Sequence, residues 1–222
     1  CLSPLNVSAS FRRSQNAKFP SARSSQLDYH CQNISLDLSV PGQFNYQNAI
    51  AAYLVGQQLG LNPEKMMNAL NTFSGVLRRQ VCLFDGKVKA YDDFAHHPSA
   101  VEAMIKAFED QSLVVLYHPA TYTQRMGEMD KKVISMLKRV NKAYVLVPPK
   151  HQLALIDYQK AGIHLCKSEQ EACEKILQNI TVNDHVIVMS AYYLSCFWEK
   201  LLASLSLNYA TEDCIMDNEQ IG

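Results

Sequence analysis

From Val81 onward the chain alternates short apolar runs with helical patterns, and that alternation leaves few folds open. Val81–Phe84 and Lys87–Tyr91 flank Asp85-Gly86, a two-residue hairpin signal. Pro98–Asp110 reads as a helix, because Val101, Met104, Ile105 and Phe108 recur at helical spacing behind an initial proline. Leu113–Tyr117 reads as a strand, the region Met129–Val140 as a helix, Ala143–Val147 as a strand. After a loop or short helix come strand Ile163–Leu165, helix Ser168–Gln178, strand His185–Met189 and a helix over Tyr193–Ser204. Strands interleaved with helices in this way predict an α/β, Rossmann-like domain whose mainly parallel sheet is covered on both faces.

The chain before this region has a different texture. Residues 1–35 are polar and poorly periodic, and Phe11–Ser25, rich in Ser, Arg and Asn, reads as loop. Ile34–Val40 alternates cleanly and predicts a strand with one buried face, ended by Pro41-Gly42. A helix is expected from Tyr46 to Leu59, with Ile50, Tyr53, Leu54 and Leu59 near one face and Asn45 at or near its cap. Asn62-Pro63-Glu64 starts a second helix that carries Met66, Met67, Leu70 and Phe73 and stops at Ser74-Gly75. The sequence therefore divides near residue 79. Residues 1–79 read as the distal part of a domain whose beginning lies elsewhere, and residues 80–222 as a complete α/β domain with an acidic, frayed tail from Leu207. A chain that begins with Cys rather than Met reads as a piece of a longer polypeptide.

Charge and cysteine usage exclude several classes. The 21 basic and 21 acidic residues cancel, so no basic excess marks a nucleic-acid surface. The longest apolar runs, Leu113–Leu116 and Val186–Met189, are strand-length and far short of a membrane span. Seven scattered cysteines without a CxxC suit a reduced, cytoplasmic protein.

Chemistry concentrates in Tyr91-Asp92-Asp93-Phe94-Ala95-His96-His97-Pro98, where acids and imidazoles cross from a strand into a helix. The carboxyl end of a strand is where α/β enzymes bind ligands, and a helix N-terminus favours anions. Asp92-Asp93 suits Mg²⁺ or a ribose diol. Adjacent His96 and His97 cannot both face one metal, and no third ligand at zinc spacing follows, so no metal site is assigned. Asn45 and Asn48, three residues apart, offer the donor and acceptor that an adenine edge requires, or serve as a plain cap and a solvated amide. Arg78-Arg79 beside a hinge can clamp phosphate oxygens, or belong to a solvated linker. His118–Arg125 again follows a strand, and its Thr121, Thr123 and Arg125 suit a carboxylate or phosphate, or an ordinary loop. No GxxxxGK[ST] phosphate loop and no GxGxxG is present.

Three motifs, in order, resemble the Mur ligases, ATP-dependent amino-acid and peptide ligases of bacterial cell-wall synthesis. They are Pro41-Gly-Gln-Phe-Asn-Tyr-Gln-Asn-Ala49, Phe73-Ser-Gly-Val-Leu-Arg-Arg79 and Tyr91-Asp-Asp-Phe-Ala-His-His-Pro98, and the resemblance runs from about residue 34 to 205. The third motif and Val188-Met-Ser190 look most like the recycling branch, which joins UDP-N-acetylmuramate to the tripeptide L-alanyl-γ-D-glutamyl-meso-diaminopimelate. Tyr122-Thr123 is similar to the branch that adds free L-alanine, the alternative.

The resemblance implies a central ATP-binding domain ending near residue 79 and a C-terminal domain after it. It implies that Asn45 and Asn48 contact adenine and that Arg79 reaches the ribose or phosphates. Asp93 would close onto the nucleotide, with His96 and His97 beside it on the catalytic side of the closed site, and Thr121, Thr123 and Arg125 would face the amino substrate. ATP and Mg²⁺ are the implied cofactors, with the magnesium ligands mostly outside this chain. UDP-N-acetylmuramate and a peptide or amino acid are the implied partners. On this reading the isolated chain has no ligase turnover, and Asp93→Ala in the intact protein slows turnover without unfolding the domain. Departures are visible too: Phe44 stands where the family usually has histidine, and the arginine-rich substrate loop is replaced by Pro119-Ala-Thr-Tyr-Thr-Gln124. Ala191-Tyr-Tyr-Leu-Ser-Cys196 replaces a glycine-rich turn. A degenerate, non-catalytic binding domain and a metal-dependent hydrolase built on Asp92, Asp93, His96 and His97 are the competing readings.

Overall fold

A computed structural model of the chain describes residues 24–29 and 32–211, with side chains from Leu36 onward. The chain divides into two compact units between Gly75 and Val76.

In the first unit, β1 (Ser24–Tyr29) pairs antiparallel with β2 (Gln32–Asp37). The polar composition of Ser24–Tyr29 hides this strand from sequence periodicity; its regularity comes from pairing, with Tyr29 opposite Gln32 and Ser24 opposite Asp37. The rest of the expected loop, residues 11–23, lies outside the described residues. The alternation after β2 holds: Leu36, Leu38 and Val40 are buried, Asp37 and Ser39 exposed.

Helix α1 (Gln43–Gln58) starts three residues earlier than the pattern predicts. Its cap is Gly42 at φ 100°, a conformation glycine adopts without penalty. Asn45 is therefore not the cap but lies in the first turn, its Nδ2 donating to the Pro41 carbonyl at 2.6 Å. The buried face is Tyr46, Ala49, Tyr53 and Gly56 rather than the aliphatic set, and Leu59 is 71% exposed. Helix α2 (Pro63–Asn71) begins as expected, with Asn62 Oδ1 accepting from the Lys65 amide at 3.0 Å. It stops at Asn71, so Phe73 lies past its end and is exposed.

In the second unit, β3 (Val81–Asp85) and β4 (Lys89–Asp93) form a hairpin. Asp85 pairs with Lys89, so the connection is the three residues Gly86–Val88 and not two. The C-cap of the helix over Ser195–Asn208 explains the change. Lys87 donates its amide to the Tyr209 carbonyl at 2.8 Å, and a Cβ on Gly86 would lie 2.4 Å from that oxygen and 2.7 Å from the Phe84 ring. Gly86→Ala should lower the unfolding free energy of this unit by about 2 kcal/mol, read from the denaturant midpoint at constant m-value.

The remaining elements follow the expected alternation. They are α3 (Pro98–Ala107), β5 (Ser112–His118), a short α4 (Tyr122–Arg125), α5 (Asp130–Leu137), β6 (Lys142–Leu146), α6 (Leu155–Lys160), β7 (His164–Cys166), α7 (Glu169–Asn179), β8 (Asp184–Ser190) and α8 (Ser195–Asn208). Among the described residues the sheet order is β3-β4-β8-β5-β6-β7, antiparallel at β3–β4 and parallel elsewhere. Both faces are covered. Val114, Leu116, Val186 and Val188 pack with α7 and α8, notably Ile176, Phe197 and Trp198. Leu113, Val115, Ile187 and Met189 pack with α3, α5 and α6, notably Met104, Leu137 and Tyr158. A central strand buried on both faces reads as a continuous apolar run, and β8 is that case. The tail is ordered further than expected, since α8 runs to Asn208; residues 212–222 lie outside the described residues.

Two imidazoles make this unit acid-sensitive. His185, stacked on Tyr91 and set against Phe108, is pushed down to about 4 by burial, with Lys89 adding to the shift. Burial alone pushes His118 down to about 4. The unfolded chain takes up these protons near the ordinary value of 6.5, before the folded state can. Stability is therefore complete above pH 6.5 and falls as the pH drops toward 4, by on the order of 2 kcal/mol for His185. His185→Gln should flatten that part of the stability–pH curve; an unchanged slope between the two values would contradict the assignment.

Candidate functional site

The carboxyl edges of β4, β8 and β5 lie side by side, because β8 returns to the sheet between two strands that are consecutive in sequence. Asp93 is level with Met189, and His118 with Ser190. Such a reversal opens a crevice at the strand ends, the usual ligand position in an α/β sheet.

Asp92 and Asp93 end β4 and are both buried, at 2% and 5% exposure. They do different work. Asp93 Oδ2 accepts from the Gln80 amide at 2.8 Å and Oδ1 from the Ala95 amide at 2.6 Å, so the carboxylate ties the incoming chain to the outgoing turn. Burial raises its pKa above the ordinary carboxylate value; the Ala95 and Gln80 amides and Arg79 pull the other way, and Asp92 adds to the rise. Asp92 Oδ2 accepts from Arg78 Nε at 2.9 Å, while Oδ1 is buried without a hydrogen-bond partner among the described residues.

Arg79 is exposed, and its guanidinium lies 5.2 Å from the centre of the Phe94 ring. The same ring carries Arg78 at 5.6 Å. His96 places Nδ1 2.8 Å from the Phe94 carbonyl, and its own carbonyl accepts from Tyr117 Oη at 3.0 Å and from Gln124 Nε2. His97 is the N-cap of α3, its Nδ1 3.0 Å from Ser99 Oγ. One of the two imidazoles thus braces the turn and the other caps a helix.

The loop after β5 is held from inside. Gln124 is buried; its Oε1 accepts from the Thr121 amide at 3.0 Å and its Nε2 reaches His96. Thr121 is the N-cap of α4, Thr123 is exposed, and Arg125 keeps a buried Nε without a partner among the described residues. His118 Nδ1 lies 3.0 Å from Ser190 Oγ, which also accepts the Tyr192 amide at 3.0 Å, so the β5 and β8 ends are joined by side chains.

The structure therefore brings Arg79, Asp93, His96 and His97 onto one connected stretch, with Thr121–Arg125 linked to it through Gln124 and His96. Asn45 and Asn48 lie in the other unit, on the first turns of α1, Asn48 exposed. The sequence pattern did not reveal the bracing role of Gln124, the hydrogen bond between Ser190 and His118 or the separate role of Arg78. The available signal was the pairing of an arginine doublet with an aspartate doublet.

Among the described residues no three His, Cys, Asp or Glu side chains converge on a metal position. Of the four oxygens of Asp92 and Asp93, three already accept from protein donors. That donor set does not fit Mg²⁺, which demands near-octahedral oxygen coordination. No helix among the described residues is long and apolar enough to cross a membrane.

A family model for the Mur ligase, glutamate ligase domain, matches residues 77–192. Among curated proteins, the UDP-N-acetylmuramate–L-alanine ligase of Salinibacter ruber is 37% identical over 102 residues, covering 44% of this chain and 22% of that protein. The chain spans about a fifth to a third of the length of the curated relatives it matches. Among solved structures, the UDP-N-acetylmuramate–alanine ligase of Thermotoga maritima superposes with a TM-score of 0.70 at 19% identity, over 84% of this chain and 44% of that one. A murein peptide ligase of Psychrobacter arcticus gives 0.57 at 19% identity, over 86% and 43%. These two likenesses speak for the fold; the family model covers more than half the chain, and the chain belongs to the Mur ligase family.

Proposed function

We propose that this chain is the distal part of an ATP-dependent ligase that joins the muramoyl carboxylate of UDP-N-acetylmuramate to an amine. The observation that carries the reading is Arg79, exposed on the Phe94 ring and joined through Gln80 to Asp93, inside the segment the family model matches. Residues 1–79 would then be the end of the ATP-binding central domain and residues 80–222 the C-terminal domain. Asn48 offers adenine a donor–acceptor pair, with Asn45 beside it on the same turn. Arg79 offers forked donors to the ribose or phosphates.

In the proposed reaction the terminal phosphoryl group of ATP passes to a carboxylate oxygen, leaving ADP. The amine nitrogen then attacks the acyl carbon and loses a proton, and the tetrahedral intermediate expels phosphate. Positive charge at Arg79 offsets charge on the phosphates, and closure of the site keeps water from the acyl phosphate. Magnesium ligands belong to parts of the protein outside the residues described above. A cytoplasmic location belongs to the same reading.

Two amines are in contention. The curated relatives named for L-alanine favour that substrate, whereas Asp92–Pro98 and Val188–Ser190 look like the tripeptide branch. The experiment is phosphate release by the full-length protein, with ATP and UDP-N-acetylmuramate, using free L-alanine or the tripeptide in turn. Turnover with neither would sink the ligase reading and leave the non-catalytic one. Arg79→Ala should raise the KM for ATP about tenfold with a small change in melting temperature, because the side chain is exposed.

A further inference from the structure

Arg78 holds a conformation that few arginines adopt. Its φ of 56° lies in the left-handed region, which is strained for a residue with a Cβ. Its guanidinium is engaged at all three nitrogens. Nε donates to Asp92 Oδ2 at 2.9 Å, Nη2 to the Ser190 carbonyl at 2.8 Å and Nη1 to the Ala191 carbonyl at 3.3 Å. The acceptors are the end of β4, the end of the adjacent strand β8 and the residue that follows it. The main chain repeats the attachment: the Arg78 carbonyl accepts from the Phe94 amide at 2.8 Å, and the Gln80 amide donates to Asp93. Arg79 therefore sits between two fixed residues, and its guanidinium rests on the ring of a third, Phe94.

We propose that the Arg78–Asp92 pair is a positioning clamp: it touches no substrate, and it fixes Arg79 and Asp93 relative to the sheet edge. Asp92 Oδ1, which has no hydrogen-bond partner among the described residues, sharpens the dependence, since Arg78 is the ion-pair partner of this buried carboxylate among them. A lysine keeps the charge but cannot replace a planar fork that serves three acceptors in different directions. The clamp itself stands on the geometry above; its consequence for nucleotide binding rests on the proposed ligase reading.

The test uses the full-length protein with R78K, the charge-free double variant R78A/D92N, and R79A for comparison. Amide exchange at Gln80 and Phe94 should accelerate about tenfold or more in R78K and in the double variant, with exchange in the β5–β6 ladder unchanged. The KM for ATP should rise in both to about the level of R79A, with kcat falling less than KM rises. Unchanged exchange at Gln80 and Phe94, or equal acceleration across the sheet, would overturn the clamp. Local acceleration with an unaltered KM, while R79A raises it, would overturn the positioning of Arg79. Should R79A itself leave the KM untouched, the nucleotide reading fails instead, and the exchange result alone decides the clamp.

Discussion

Asp93→Ala in the full-length protein is expected to lower kcat on the order of a hundredfold and to weaken the fold by roughly 2–3 kcal/mol. The sequence alone led to the first effect and not the second. Structurally, Asp93 is the knot at which the chain entering β3 and the turn leaving β4 meet. Alanine leaves the Gln80 and Ala95 amides without their acceptors. Each orphaned buried donor costs about 1–3 kcal/mol, and relief of the buried carboxylate, whose pKa burial already raises, offsets part of that. The displaced Gln80 and Ala95 segments carry Arg79 on one side and His96 on the other, so misplacement spreads to both sides of the proposed site. Asp93→Asn retains one acceptor oxygen and should fall between wild type and alanine in stability. Turnover and denaturant midpoint measured on the same preparations separate the two effects; a wild-type kcat in Asp93→Ala would remove this residue from the reaction.

The parts of this molecule that were legible in sequence are those set by local chemistry and periodicity. Alternating apolar runs located β4, β5, β6 and β8 and the helices α3, α5, α7 and α8, because their apolar residues fill the two cores, whereas the four-residue α4 leaves no periodic signal. Asn62-Pro63 fixed the start of α2 since capping is a contact across three residues. Where a distant segment decides, the signal vanishes. Gly86 looked like half of a two-residue turn, yet it is glycine's small size against Tyr209, 123 positions later, that shapes the connection. Ser24–Tyr29 is a strand only by virtue of its partner. The same limit applies to the site. The motif Asp92–Pro98 lies at the carboxyl end of β4, as its strand-to-helix pattern predicts, but the split between Asp92 and Asp93 depends on Arg78 and Gln80, whose directions no spacing rule supplies. Gln124 shows the limit most clearly: it stands in a loop expected to meet substrate, and the fold turns it inward to brace His96.

Asp130→Ala, a change away from the proposed site, should lower the unfolding free energy by roughly 3–5 kcal/mol. Nothing in its sequence neighbourhood distinguishes it from a solvated acid in the first turn of a helix, the ordinary reading for an acid there. In the structure it is buried and bridges α5 to α6. Oδ1 accepts from Tyr158 Oη at 2.9 Å and Oδ2 from the Ala154 amide at 2.7 Å. Tyr158 is fully buried, so its hydroxyl has no route to water once the carboxylate is gone. Hydrogen bonds to a charged acceptor contribute about 1.5–3 kcal/mol each, and both are lost together. Asp130→Asn keeps one acceptor and should recover about half of the loss, whereas Tyr158→Phe removes one donor and its partner's obligation, and should cost least. A midpoint series in which all three variants fall together would show that the carboxylate's burial, not its two donors, governs the site. The link to function is indirect but testable: the Gln152 amide donates to the Arg125 carbonyl at 2.6 Å, so loosening the segment before Ala154 frees the loop proposed to face the amine substrate. Asp130→Asn is therefore expected to raise the KM for the amine substrate while leaving that for ATP near wild type; the opposite pattern would detach this node from the loop.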